Sequence, residues 1–284
     1  MIYLCQNTPP NCHLLFTTRY KIVDLAEHLT YSALDKMTYA EQYRLTNFSE
    51  TLRKIPMSER QDIVKRLDGH PRAYEFLETL LKKDKTLTWT KLSIQIGEVE
   101  AKVWEDLLLE KIYQRLNPEE QQLLQVCAVF ISRTPIEALN YVIEKAEIKV
   151  GKIELERLLG LCYYDSENQN FEVHRLTREW MIENIIANKK LKEWAFLTGE
   201  YLVKENMVLI QDAELARNYF TMSEAWDRFV KISFDLQQYY GTVGLYKRVY
   251  ELNHEIFNMN LDKDSTAAAL NNIGHMLLSN LELV

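Results

Sequence analysis

Apolar residues recur at helical spacing over most of the chain, and only one segment has the near-continuous apolar character of a parallel strand covered on both faces. That segment is residues 12–17, "CHLLFT", and Arg19 follows it closely. A parallel strand needs neighbouring strands, and the sequence contains none of similar character. The pattern therefore predicts a mostly α chain that opens on a residual strand of a P-loop α/β domain, and we expect that strand to pair outside this chain.

Residues 21–83 carry helical periodicity with clear start and stop signals. Ser58 is predicted to cap one helix, and Gly69 to end it in the left-handed conformation. Pro71 is predicted to occupy the first position of the next helix. We expect the buried stripe of that helix to consist of Ala73, Phe76, Leu77, Leu80 and Leu81, and residues 84–102 to form a connector.

Residues 103–188 have the order of elements of a winged helix-turn-helix unit. Two predicted helices begin with a cap residue followed by proline, at Asn117–Pro118 and Thr134–Pro135. A short helix is predicted at residues 152–160, a β-hairpin with a polar turn at about 161–174, and a closing helix after it.

The rest of the chain is predicted to be helical at roughly 190–206, 211–223, 224–239, 242–258 and 265–281. Segments of this length with short polar joints favour stacked helical hairpins, an α-solenoid. Leu270 and Gly274 are predicted to mark a close approach of two helices, as in tetratricopeptide repeats. Because the pattern ends within a hairpin, we expect the array to continue beyond this chain.

Composition and charge narrow the class of protein. The chain has 284 residues, 47% of them hydrophobic, and its net charge is -7. Clustered basic residues are what nucleic-acid binding needs, so a nucleic-acid partner is not expected. The four cysteines show no disulfide or metal-ligand spacing and are predicted to be reduced thiols of a cytoplasmic protein. No apolar run is long enough for a membrane span.

Three short motifs, in this order, resemble those of the STAND class of signalling P-loop NTPases, of the NB-ARC type. "LLFTTR" resembles the sensor-1 strand, "GHP" (residues 69–71) the GxP motif, and "VHRLTRE" (residues 173–179) the MHD-type motif of the winged-helix domain. The resemblance implies four parts: the end of the nucleotide-binding α/β domain (1–20), a helical lid (21–102), a winged-helix domain (103–188) and tetratricopeptide-like repeats (189–284).

The same resemblance implies three nucleotide-contacting residues. Arg19 would sense the γ-phosphate of ATP, Pro71 would pack near the adenine, and His174 would reach the β-phosphate of ADP. The sequence departs from the family in having Arg72 after the GxP motif and Arg175 where the MHD pattern has an acid.

A further departure is that no G-x-x-x-x-G-K-[ST] loop occurs in the sequence. The resemblance implies that the complete protein uses ADP or ATP with Mg²⁺ and is a slow ATPase. Because the loop is missing from this sequence, we expect the chain alone not to hydrolyse ATP and to bind nucleotide weakly or not at all.

The resemblance also implies a signalling switch and oligomerisation scaffold whose helical repeats bind a protein partner or ligand, with homo-oligomerisation as a further expectation. Two other functions stay open: a protein-interaction scaffold without nucleotide, and a winged-helix DNA-binding regulator that reads DNA with residues 152–160. Local explanations also stay open. Arg19 would then be a solvated residue, Pro71 a helix-start residue and His174 a hydrogen-bonded structural histidine.

Overall fold

A computed structural model describes residues 36–96, 101–149, 155–158, 161–206, 209–259, 261 and 263–281. The predicted strand at residues 12–17 and Arg19 lie outside this part of the chain. Two compact units are distinguished, residues 1–71 and 72–284, and each is described by itself.

The first unit contains helix α1 (Tyr39–Phe48), a 3₁₀ turn (Leu52–Lys54) and helix α2 (Met57–Leu67). Thr38 and Glu41 cap α1 reciprocally: the Thr38 N–H donates to Glu41 Oε2 at 2.7 Å, and the Glu41 N–H donates to Thr38 Oγ1 at 3.4 Å. The apolar core of this unit contains Leu52, Ile63, Val64 and Leu67.

Helix α2 begins two residues earlier than a cap at Ser58 would place it, so the expectation that Ser58 caps it is wrong. Pro56 occupies the cap position in an extended conformation, and its carbonyl accepts the Arg60 N–H at 3.0 Å. The predicted stop at Gly69 is confirmed, with φ +78° there and +44° at the preceding Asp68. A Cβ on Gly69 would lie 2.6 Å from the carbonyl oxygen of Met37, so glycine is required sterically as well as conformationally.

Helix α3 (Pro71–Lys83) starts at Pro71 as predicted, and α4 (Trp89–Ile96) and α5 (Ala101–Tyr113) follow. The buried residues of α3 include Tyr74, whereas Leu81, expected in the core, is only half-buried. The connector predicted at residues 84–102 is wrong in part, because it contains α4. Tertiary packing stabilises this helix: Trp89 is 2% exposed and stacks on Trp104 with ring centroids 5.3 Å apart.

Next come α6 (Pro118–Cys127), β1 (Thr134–Pro135), α7 (Ile136–Lys145), a 3₁₀ helix (Leu155–Leu158), β2 (Cys162–Asp165), β3 (Asn170–Val173) and α8 (Arg175–Asn184). The start of α6 is confirmed in detail, since Asn117 and Glu120 form a capping box and Pro118 is the first helical residue. The hairpin predicted at about 161–174 is also confirmed, because β2 and β3 pair antiparallel with Cys162 opposite Val173.

Sequence reasoning missed a third strand. Thr134 pairs with Phe171 and Pro135 with Asn170, which gives a sheet of order β1-β3-β2. The predicted start of a helix at Thr134–Pro135 is therefore wrong by position: Pro135 is the cap and Ile136 the first helical residue. Pro135 needs no ladder donor on this edge strand.

Five helices complete the second unit: α9 (Asn188–Asn206), α10 (Ile210–Met222), α11 (Trp226–Thr242), α12 (Tyr246–Met259) and α13 (Lys263–Leu281). Each packs mainly on its neighbours in sequence, and their positions confirm the predicted segments to within a few residues. Among the residues that the structure describes, no helix is at once long and apolar enough to cross a bilayer.

A close helix approach that was not predicted lies at Gly199. A Cβ on Gly199 in α9 would lie 2.7 Å from the ring of Phe220 in α10. At Gly274 in α13, no atom of the described residues lies within 4 Å of the corresponding position. The partner helix expected at Leu270 and Gly274 is not among the described residues, so that expectation stays a prediction.

Candidate nucleotide-contact site

The structure describes two of the three residues that the family resemblance singles out. Pro71 is the first residue of α3, and His174 is the residue immediately before α8. Arg19 lies outside the described residues. The description of the site therefore rests on His174 and the side chains around it in the second unit.

The local fold places His174 at the junction of the hairpin and α8. The preceding residue, Val173, is 3% exposed and pairs with Cys162, so the register of β3 is fixed by burial. His174 has extended backbone angles, φ -56° and ψ 139°, and its carbonyl accepts the Arg178 N–H at 3.0 Å. These are the features of a helix N-cap residue.

The imidazole of His174 itself caps the helix. Its Nδ1 accepts the backbone N–H of Leu176 at 3.3 Å. The first-turn N–H groups of a helix have no intrahelical acceptor, so this bond satisfies one of them. His174 is therefore a hydrogen-bonded histidine, as the structural alternative expects. The residue nevertheless stays exposed to solvent.

Charges from three elements act on His174. Partial desolvation of the ring lowers its pKa, and the positive charge of Arg72 on α3 lowers it further. Glu75 on α3, Glu172 on β3 and Glu179 on α8 act in the opposite direction. The net result is a lowered pKa, which favours the neutral imidazole at neutral pH.

Arg72 is held in place by two contacts of its own helix. Its guanidinium pairs with Glu75 and lies over the ring of Phe76, 4.8 Å from the ring centroid. Its side chain is 19% exposed. A cation in the first turn of a helix is unfavourable on its own, because the helix dipole is positive there.

Charges of both signs surround His174. The N-terminus of α8 and the cation of Arg72 favour an anion, whereas Glu75, Glu172 and Glu179 oppose one. Among the described residues, no group of three or more His, Cys, Asp or Glu side chains is placed to hold a metal.

Sequence reasoning missed two features of the second unit. One is the proximity of Arg72 to His174, for which a first-turn arginine was the only local signal. The other is a buried arginine in the helical array. Arg217 in α10 is 6% exposed, donates to Ser233 Oγ at 2.9 Å and pairs with Glu255 of α12.

Ile131 joins the array to the element that carries His174. Its N–H donates to the hydroxyl of Tyr219 in α10 at 2.9 Å, and its carbonyl accepts from Arg178 Nη1 in α8 at 2.9 Å. Tyr219 is fully buried, and this burial raises its pKa, so the hydroxyl stays neutral.

No protein-family model and no curated protein matches the sequence. Among solved structures, the fold is similar to that of a signal transduction ATPase with numerous domains (STAND) with a tetratricopeptide repeat sensor, from Pyrococcus horikoshii. The TM-score is 0.57 and the sequence identity 19%. The similarity covers 89% of this chain and 34% of that chain, so this chain spans about a third of the length of the protein it matches. At this identity the likeness concerns the fold alone.

Proposed function

We propose that this chain is part of a nucleotide-regulated signalling switch of the STAND type. The observation that carries the proposal is the similarity of fold over 89% of the chain to a STAND protein with a tetratricopeptide repeat sensor. In this proposal, residues 103–188 form the winged-helix domain and residues 189–284 the start of a tetratricopeptide-like array. Residues 1–20 and 21–102 contribute the end of the nucleotide-binding domain and its lid.

His174 would contact the β-phosphate of ADP and stabilise the closed state. The N-terminus of α8 and the nearby cation of Arg72 support an anionic ligand here. By the family resemblance, Arg19 would sense the γ-phosphate and Pro71 would pack near the adenine. A switch requires contacts that differ between its two states, and His174 and Arg19 supply such contacts to ADP and ATP respectively.

The helical array would recognise a protein partner or ligand. Stacked helical hairpins present extended surfaces suited to this role. On α12, Tyr246, Tyr250 and Phe257 recur at helical spacing and are 56%, 39% and 38% exposed. Exposed aromatic residues of this kind are enriched at protein interfaces.

The test requires the protein in which this chain is joined to a phosphate-binding loop. Calorimetric titration with ADP and Mg-ATP would compare the wild type with His174→Ala and Arg19→Ala. We expect His174→Ala to weaken ADP more than ATP, and Arg19→Ala to remove discrimination between them. The chain alone should show no micromolar binding. Equal effects on both nucleotides, or the lack of any phosphate-binding loop in the encoded protein, would refute the proposal.

A protein-interaction scaffold without nucleotide is the second candidate. The lack of a G-x-x-x-x-G-K-[ST] loop in these 284 residues favours it. It predicts partner binding that ADP and ATP leave unchanged, which a pull-down at saturating nucleotide would measure.

The DNA-binding alternative has weaker support. The predicted reading helix carries Glu154 and Glu156 beside Lys152 and Arg157, in a chain of net charge -7, which is unfavourable for contact with DNA. A salt-dependent DNA mobility-shift assay would test it.

A further inference from the structure

The capping bond of His174 determines which ring nitrogen carries the proton. The backbone N–H of Leu176 donates to Nδ1 at 3.3 Å, and an N–H can donate only to a nitrogen with a free lone pair. Nδ1 is therefore unprotonated. In a neutral imidazole the single proton must then reside on Nε2.

We infer that His174 is a helix cap locked in one tautomer, so that Nε2–H is the only hydrogen-bond donor that its ring offers to a ligand. The tautomer follows from the contact within this chain. Its use toward a phosphate oxygen rests on the proposed function. The contact would be a neutral, directional hydrogen bond, while the positive charge at this position would come from Arg72 and the α8 N-terminus.

The same geometry makes the cap sensitive to acid. Protonation places a hydrogen on Nδ1 as well, so the ring loses the lone pair that accepts the Leu176 N–H. It also adds a positive charge at the positive end of α8 and near Arg72. Of the side chains that face the ring, Glu75 on α3, Glu172 on β3 and Glu179 on α8 oppose this effect by favouring the charged form.

Arg175, the next residue in the sequence, is paired with Glu179 at 2.8 Å. Part of the negative charge of Glu179 is therefore already balanced within α8. Partial desolvation and Arg72 prevail in the balance, and the pKa of His174 is lowered from its ordinary value. The neutral cap accordingly persists below the pH at which a solvated histidine would protonate, and is lost as the pH falls further.

Nuclear magnetic resonance of the ¹⁵N-labelled chain without nucleotide tests the tautomer directly. Long-range ¹H–¹⁵N correlations at a pH about two units above the ordinary histidine pKa of ~6.5 distinguish the ring nitrogens. We expect Nδ1 to show the shift of an unprotonated nitrogen and Nε2 that of a protonated one. The signals of His174 are assigned by their disappearance in His174→Ser. A protonated Nδ1, or averaged shifts from both tautomers, would overturn the inference.

Two substitutions separate capping from ligand contact. Serine is a good N-cap residue and adds no charge, but it is too short to present a donor where Nε2 lies; alanine lacks both functions. We expect His174→Ala to lower the folding equilibrium constant about 2- to 30-fold and His174→Ser to restore most of the loss. Equal destabilisation by both variants would refute the capping role.

The same two variants distinguish the capping role of His174 from its proposed contact with nucleotide. In the protein joined to a phosphate-binding loop, both should lose the preference for ADP. If His174→Ser keeps that preference while the tautomer and stability results hold, the proposed function fails at this residue and the inference about the cap stands.

Discussion

The contact between Gly199 in α9 and Phe220 in α10 gives a sharp test of packing. Replacing Gly199 by alanine adds a Cβ that would lie 2.7, 3.0 and 3.1 Å from Cε1, Cδ1 and Cζ of Phe220. Ordinary van der Waals contact begins near 3.4 Å. The ring is 1% exposed and also contacts Phe196 of α9, with ring centroids 6.2 Å apart. The ring therefore cannot move without displacing its neighbours or separating α9 from α10.

Two opposing effects determine how much Gly199→Ala changes the free energy of unfolding. Overpacking a buried contact costs about 1–3 kcal/mol. Alanine is better than glycine in a helix by about 1 kcal/mol. The net effect of Gly199→Ala is therefore a loss of about 0–2 kcal/mol. Gly274→Ala in α13 meets no described atom within 4 Å, so it should gain up to about 1 kcal/mol.

Urea denaturation followed by far-ultraviolet circular dichroism would measure both variants. The difference between them isolates the overpacking term, because the helix-propensity term is common to both. We expect Gly199→Ala to be less stable than Gly274→Ala by about 1–3 kcal/mol. Adding Phe220→Leu to Gly199→Ala should cost less than the same change in the wild type, because it removes the ring edge that clashes. Equal stability of the two glycine variants would refute the argument.

Three further predictions concern the central sheet and its connection to the array. Phe130→Ala should cost about 3–5 kcal/mol, because the side chain is 1% exposed and meets Phe171 edge to face at 5.1 Å; a loss below about 1 kcal/mol in denaturation would contradict this packing. Tyr219→Phe should cost about 1 kcal/mol, since it removes the acceptor of the Ile131 N–H, and unchanged stability would argue against that bond. Hydrogen bonds from Asn168 lower the pKa of Asp165, so the stability that it contributes is present above its unfolded pKa of about 3.9 and is lost as the pH falls through the folded value. The acid side of a pH–stability profile should therefore be shallower for Asp165→Asn than for the wild type.

Most signals that act within a few residues were read correctly from the sequence, although the caps predicted at Ser58 and Thr134 were misplaced. The capping box at Asn117, the left-handed stop at Gly69 and the polar turn of the hairpin depend on backbone geometry that their own residues determine. For the same reason, the helical segments after residue 188 were placed to within a few residues. The hydrophobic period in each is long enough to average out local exceptions.

Features that depend on distant partners were not predicted. Strand β1 is only two residues long, and its pairing with Phe171 is invisible in the residues around Thr134. Helix α4 lies in a stretch rich in threonine, and the stacking of Trp89 on Trp104 compensates for that poor helix propensity. A glycine at a helix contact looks like any other helical glycine in the sequence, so the contact at Gly199 was not predicted.

In the candidate site, too, local features could be predicted from the sequence and features that depend on distant residues could not. The position of His174 before a helix could be predicted, because a hairpin followed by a helical pattern has a definite junction. Its proximity to Arg72 could not, since about a hundred residues of chain separate them. The tautomer also required the structure, because it depends on which ring nitrogen meets the Leu176 N–H.

The contacts of Ile131 indicate how a change at His174 could reach the array. His174 caps α8, and Arg178 one turn later in the same helix donates to the Ile131 carbonyl at 2.9 Å. The N–H of Ile131 donates to the hydroxyl of Tyr219 in α10 at 2.9 Å. Because one peptide segment is held from both sides, a shift of α8 must either carry α10 with it or break one of two hydrogen bonds. Each such bond is worth about 1 kcal/mol, or somewhat more where the donor is charged. A ligand that moves α8 would therefore need only a modest differential affinity to be felt in the array.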